Sequence, residues 1–262
     1  MKAQALMEAL FSLSEQRVPD TVDTLKAGSP DKEVRKVATC FIATAQVIRQ
    51  AAAWGADLII THEPTFYEHR DDVTGLQDDP VIGAKKALLQ QSGMTVYRYH
   101  DHAHCKKPDV IVDGLFKKLG WEISWSSFDQ PAVLKTPMTA RQMAADIQRK
   151  LGIAHVRVAG SLDAPLRSLS PMIGSPGEKW QLSALMRPDV DALLAGEVSE
   201  WRVCEYARDA ALLGQNKAVL ALGHAGSERD GMELLCAILQ GLDPALETRY
   251  FDCGEVYAYP EA

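Results

Sequence analysis

VATCFIATAQVIRQAAAWGADLIITHE, residues 37–63, is the stretch that decides the fold. VATCFIA (37–43) is a short, almost wholly apolar run, the mark of a buried strand. Thr44 then offers an N-cap, Val47, Ile48, Ala51 and Ala52 line one helical face, and Gly55 supplies the C-terminal stop. ADLIITHE (56–63) is the next strand, and it ends in two residues that can bind metal. A strand, a capped helix and a second strand within 27 residues place the chain in the α/β class.

The same rhythm extends in both directions. Upstream, MKAQALMEALFSLSEQ carries Leu6, Leu10 and Leu13 at helical spacing, with Glu8 interrupting the apolar run, so it reads as an amphipathic helix rather than a signal peptide. A loop rich in Asp, Gly and Pro (19–32) follows. Downstream, Asp79-Pro80 opens a helix that closes at Gly93, MTVYRYH (94–100) is a strand, and a helix runs from about Asp109 to Gly120. In the second half, Thr139 with Gln142 forms one capping box and Ser175 with Glu178 another. Strands are expected near 154–159, 166–173, 190–195 and 217–224. Helices are expected at 198–213 and from Ser227 to Gln240, and LETRYFDC (246–253) is a last strand.

The halves resemble one another. Asp57-Leu-Ile-Ile-Thr-His-Glu63 aligns with Asp191-Ala-Leu-Leu-Ala-Gly-Glu197, each after a capped helix. After a further helix, each half has a strand that ends in histidine: VYRYHDHAH in the first and LALGHAGSE in the second. This points to an internal duplication of one α/β unit.

Composition narrows the function classes. With 262 residues, 47% hydrophobic and 24% charged, the chain is an ordinary globular protein and not a disordered or fibrous one. The net charge of −7 would repel phosphate backbones and anionic lipid, which disfavours nucleic acid as a partner. The five cysteines (Cys40, Cys105, Cys204, Cys236, Cys253) are scattered without a CxxC, so a reducing cytoplasm fits better than a disulfide framework. No apolar run approaches a membrane span.

The chemistry gathers where open α/β sheets bind ligands, beyond the carboxyl ends of strands. Of seven histidines, His62, His100, His102, His104 and His224 lie at or just past an expected strand end. In an extended backbone His100, His102 and His104 would project to one side, with Asp101 on the other. His62-Glu63 and the pair His224 and Glu228, four apart with Ser227 as a helix cap, add further donors. Five or more N and O donors suit two transition-metal ions better than one.

THEP after ADLII, the histidine-rich segment before a helix ending in LGW, and GHAGSE near the C-terminus together resemble the Nif-three-like dinuclear-metal proteins, which often carry the label GTP cyclohydrolase 1 type 2. The resemblance extends over nearly the whole chain. It implies two similar α/β domains, the second inserted into the first and the metal site between them: 1–125 with 215–262, and 126–214. It also implies a homo-oligomer, often a ring-shaped hexamer. Carried over, His62 matches the first histidine of the family's HHP, with Glu63 in place of the second. His224 and Glu228 match GHxxSE. His104 stands where the family's HTNxD supplies aspartate. The two exchanges leave the formal ligand charge unchanged. The expected ligands are therefore His62, Glu63, His104, His224 and Glu228, with His100, Asp101 and His102 as outer residues or alternative ligands.

Two divalent ions, whether Zn, Fe, Mn, Ni or Co, would suit hydrolysis of a small-molecule substrate by a metal-bridging hydroxide. The alternative is a metal-handling, regulatory or scaffold protein without turnover. No Walker motif or glycine-rich phosphate loop singles out a nucleotide.

Overall fold

The stretch 37–63 folds as strand, helix, strand. The computed structural model describes residues 1–260. In chain order, α1 (Ala3–Phe11), β1 (Leu25–Ala27), β2 (Lys36–Cys40), α2 (Ala45–Trp54), β3 (Leu58–Thr61), α3 (Pro80–Ser92), β4 (Thr95–Arg98) and the short α4 (Asp101–Cys105) lead into α5 (Val110–Leu119). Then come β5 (Ile123–Ser124), β6 (Ala132–Thr139), α6 (Ala140–Leu151), β7 (Arg157–Gly160), β8 (Pro165–Met172), α7 (Glu178–Met186) and β9 (Ala192–Ala195). A π-helical turn (Glu200–Cys204), α8 (Glu205–Leu212), β10 (Ala218–Ala221), α9 (His224–Leu242) and β11 (Glu247–Tyr250) complete the chain.

Several helix ends follow the local chemistry. The Thr44 side chain accepts from the Val47 N–H and Gly55 closes α2 at φ 80°. Asp79 caps α3 ahead of its N-terminal proline, and Thr139 and Gln142 form a complete capping box on α6. Two expected starts differ. Glu178 opens α7 behind Gly177 without a side-chain cap, and the Ser175 hydroxyl bonds Glu197 Oε2 at 3.4 Å instead. Further on, α9 begins at His224, so Ser227 lies inside the helix and its hydroxyl donates to His224 O at 2.8 Å.

The chain divides into two units. Met1–Ile111 with Gly231–Gly254 form one, and Val112–Asp230 with the segment from Glu255 form the other. The second is thus an insertion in the first, and the chain passes between them within α5 and α9. β10 belongs to the second sheet, where it pairs in parallel with β9 and antiparallel with β7. A four-residue apolar strand carries no local mark of the sheet it joins.

The two sheets repeat one plan. The first has the order β1-β4-β3-β2-β11, and the second contains β7-β10-β9-β8 followed by β6 and β5. In each, three consecutive parallel strands are flanked by an antiparallel one beside the third. The registers coincide: Val37 opposes Leu58 and Leu58 opposes Thr95, while Leu169 opposes Ala192 and Ala192 opposes Ala218. Asp57 and Asp191 do the same work, each carboxylate accepting two successive N–H groups, from Arg35 and Lys36 or from Arg167 and Ser168. The central strands β3, β4, β9 and β10 are buried along their whole length, as parallel strands covered on both faces are. In the first unit Val47, Ile48 and Ala51 of α2 and Ile82 and Leu89 of α3 pack on Ala38, Ile59 and Val96. In the second, Leu185, Val203 and Ala207 pack on Leu193 and Val219. Among the described residues no helix is long and apolar enough to cross a membrane.

Candidate metal centre

His62 follows β3 directly and is fully buried. Its Nδ1 lies 3.0 Å from Tyr99 O. A backbone carbonyl can only accept, so Nδ1 carries the proton and Nε2 is the nitrogen able to coordinate. Burial, with His100 and His104 nearby, pushes the pKa of His62 well below its usual 6.5 and keeps it neutral, the form a metal requires.

The segment 100–104 is not extended. It forms α4, so His100 at the helix entrance and His104 share a face, and His102 falls on another. The cause is Asp23, nearly 80 residues upstream, whose buried carboxylate accepts from the N–H groups of His100 (2.6 Å), Asp101 (3.1 Å) and His102 (2.8 Å). It thereby satisfies the donors of the first turn and bends the chain into a helix immediately after β4. The His102 ring also bonds Asp23, at 2.8 Å through Nδ1, and stacks on Phe11 with centroids 4.5 Å apart. His102 is therefore packed in the interior of the first unit, only 2% exposed.

His62, His100 and His104 come together. Their ring centroids are 4.6 to 5.2 Å apart, and each offers a ligand atom within 4.8 Å of the others'. Carboxylates orient the two helical rings: Asp101 Oδ1 is 2.9 Å from His100 Nδ1, and Asp109 Oδ2 is 2.8 Å from His104 Nδ1. Asp101 also accepts from Thr21 and from the Val22 N–H. The hydrogen bond from His100 leads the causes that hold its carboxyl far below the usual range. With Nδ1 engaged, both rings would coordinate through Nε2. Glu63 lies at the edge of the cluster, with Oε1 3.7 Å from His100 Nε2 and Oε2 3.5 Å from Arg98 Nη2. A set of imidazoles with anchored Nδ1 atoms beside a carboxylate fits a borderline divalent ion such as zinc, iron or cobalt.

In the second unit, His224 and Glu228 stand four residues apart on α9, with Nε2 and Oε2 3.2 Å apart. Glu197, in register with Glu63 of the first repeat, accepts from His224 Nδ1 at 2.9 Å. Gly174, at φ 63°, lies so close that a Cβ there would collide with the Glu228 carboxylate. The Gly174 N–H donates to Ser227 Oγ at 3.0 Å.

The histidines and acids stand out in the sequence, whereas the residues that hold them, Asp23, Arg98 and Asp109, do not. Of these only Asp109 carried a local signal, as an acid heading α5 five residues after His104. The others act through chain contacts that no spacing reveals.

Fold and site define an α/β protein of duplicated architecture with a histidine group that could hold a metal ion. The chain belongs to the Duf34/NIF3 (NGG1p interacting factor 3) family, whose description matches residues 1–252. Curated relatives named GTP cyclohydrolase 1 type 2 homolog include one from Clostridium perfringens, 26% identical over 243 residues and covering 87% of each chain. Another, from Halobacterium salinarum, is 27% identical over 247 residues, covering 89% of this chain and 92% of its own. Among solved structures, a Bacillus cereus protein related to NIF3 shares the fold with a TM-score of 0.76 at 16% identity, covering 100% of this chain and 99% of that one. The reduced HcgD protein of Methanocaldococcus jannaschii does so with a TM-score of 0.71 at 17% identity, covering 95% and 97%.

Proposed function

We propose that the chain is a metal-dependent hydrolase of small molecules that holds two divalent ions. Its ligands are His62, Glu63 and His104 of the first unit and His224 and Glu228 of the second. His100 is a further donor in the first group. The observation that carries this reading is the convergence of His62, His100 and His104 within 4.8 Å, each ring held at Nδ1 by an oxygen. Such a cluster costs free energy as interior packing and gains it as a ligand set.

Bound divalent ions would lower the pKa of water and polarise a carbonyl, amidine or phosphoryl group. The chain's own residues supply the rest. Tyr99 O, Asp101 and Asp109 fix the imidazole orientations, so that little ordering remains to be done when an ion or substrate arrives. Neutral His62 avoids the competition with protons that would weaken binding near pH 6. Glu63 and Glu228 bring negative charge to offset the cations. The names of the curated relatives point to nucleotides as the first substrate class to try. Self-association in a cytoplasmic homo-oligomer, with a hexamer as the family precedent, completes the proposal.

The test is elemental analysis of protein purified without added metal, followed by a panel of nucleotide, amide and phosphoester substrates. About two ions per chain and turnover abolished by His224→Ala in a folded protein are expected. Saturation at one ion would remove the second site. Full loading without turnover of any substrate would favour a metal-handling role.

A further inference from the structure

Arg98, the last residue of β4, is completely buried. A guanidinium is costly to bury unless its donors are matched, and its planar fork suits several acceptors held in fixed directions. Here the acceptors of that fork lie on one short segment. Nε donates to His62 O at 2.8 Å, Nη1 donates to His69 O at 2.5 Å, and Nη2 stands 3.5 Å from Glu63 Oε2. The segment 62–71 is tied at other points as well. Lys85 Nζ donates to Thr65 O at 2.5 Å, Asp71 Oδ1 accepts from the Phe66 N–H at 2.6 Å, and Asp71 pairs with buried Lys26 at 3.2 Å.

We propose that Arg98 is a positioning residue for the metal donors at the end of β3: it fixes the His62 backbone and selects which oxygen of Glu63 faces the imidazoles. The inference rests on the reading of His62 and Glu63 as ligands. Glu63 has two equivalent oxygens and several rotamers. With Oε2 held by the guanidinium, Oε1 is the oxygen directed to the His100 side of the cluster. The positive charge also offsets the Glu63 carboxylate before any cation arrives. Lysine at this position would keep the charge but could not reach two carbonyls and a carboxylate in one plane. The sequence shows no sign of this, because Arg98 ends β4, 35 residues from Glu63.

The experiment is Co²⁺ titration of the metal-stripped full chain, following the visible d–d bands, for the unaltered protein, Arg98→Lys, Glu63→Gln and the double variant. Arg98→Lys should keep the native circular dichroism, lose about tenfold in Co²⁺ affinity and change the band shape, as loss of outer-shell partners does. The affinity loss should be smaller in the Glu63→Gln background. A folded Arg98→Lys with unaltered affinity and spectrum overturns the proposal while leaving the metal site standing. An unaltered chain that binds no Co²⁺ overturns both. Should Arg98→Lys fail to fold, the ¹⁵Nε resonance of Arg98 in the unaltered chain decides instead. It should move as stoichiometric Zn²⁺ is added, and an unmoved resonance counts against the role.

Discussion

Gly174 has a backbone φ of 63° and no room for a Cβ beside the Glu228 carboxylate. Gly174→Ala should therefore destabilise the chain by about 1–2 kcal/mol through the left-handed backbone alone. It should also displace Glu228 and lower the metal content, as read by thermal unfolding and elemental analysis. Retention of full metal content would show that Glu228 is not needed where it stands. Lys85 gives a pH prediction with a definite sign. Burial pushes its ammonium down from 10.5 to about 8, against the opposing attraction of Asp71. Below pH 8 both folded and unfolded chains keep the proton. Between 8 and 10.5 the folded chain releases it first, the unfolded state binds more protons, and stability rises with pH. The gain from pH 8 to 9 is up to about 1 kcal/mol. Above 9 buried Cys40, pushed up to about 12, acts in the opposite sense, because the unfolded thiol ionises first. Urea midpoints at pH 8 and 9 should show the rise in the parent and not in Lys85→Met; a variant that keeps the whole rise would assign it to another group. Neither residue stands out in the sequence, since Lys85 occupies an ordinary amphipathic helix and Gly174 an ordinary turn.

At the scale of elements, α4 is the feature that local pattern misrepresents. Alternating histidines in HDHAH imply an extended segment with three rings on one side, which would hold for a free backbone. Asp23 decides otherwise by collecting three successive N–H groups, an interaction set by tertiary contact and not by spacing. The helices begun by Thr44, Asp79 and Thr139 were legible because their caps lie within four residues of what they cap. The starts read from Ser175 and Ser227 were not, because Glu197 and the backbone of His224 compete for those hydroxyls. Asp23→Ala should cost about 3 kcal/mol, since charge-assisted bonds are lost and buried donors, including His102 Nδ1, are left unmatched. It should also weaken metal binding, because the common face of His100 and His104 exists only while α4 does. Chemical denaturation and Co²⁺ titration read the two effects separately. A variant that loses stability but binds metal normally would show that the two rings reach the metal without the helix.

Across the whole molecule, duplication explains why the fold is more legible than the site. A repeated α/β unit prints its hydrophobic rhythm twice, and Asp57 and Asp191 appear in both copies because each closes the same turn onto the neighbouring strand. The site-bearing positions have diverged: the register that carries His62 in the first repeat carries Gly196 in the second, while the acids Glu63 and Glu197 remain alike. If the two aspartates are truly equivalent, Asp57→Ala and Asp191→Ala should be similar in effect. Each leaves two backbone N–H groups to find water, at about 1 to 3 kcal/mol. The sites belong to different sheets and share no partner among the described residues, so the double variant should lose the sum to within about 0.5 kcal/mol. Equilibrium denaturation of the parent, both single variants and the double variant measures this. A silent Asp191→Ala beside a costly Asp57→Ala would mean that the second repeat keeps the residue but has lost its role. That would be the same divergence seen at position 196, extended from the site to the scaffold.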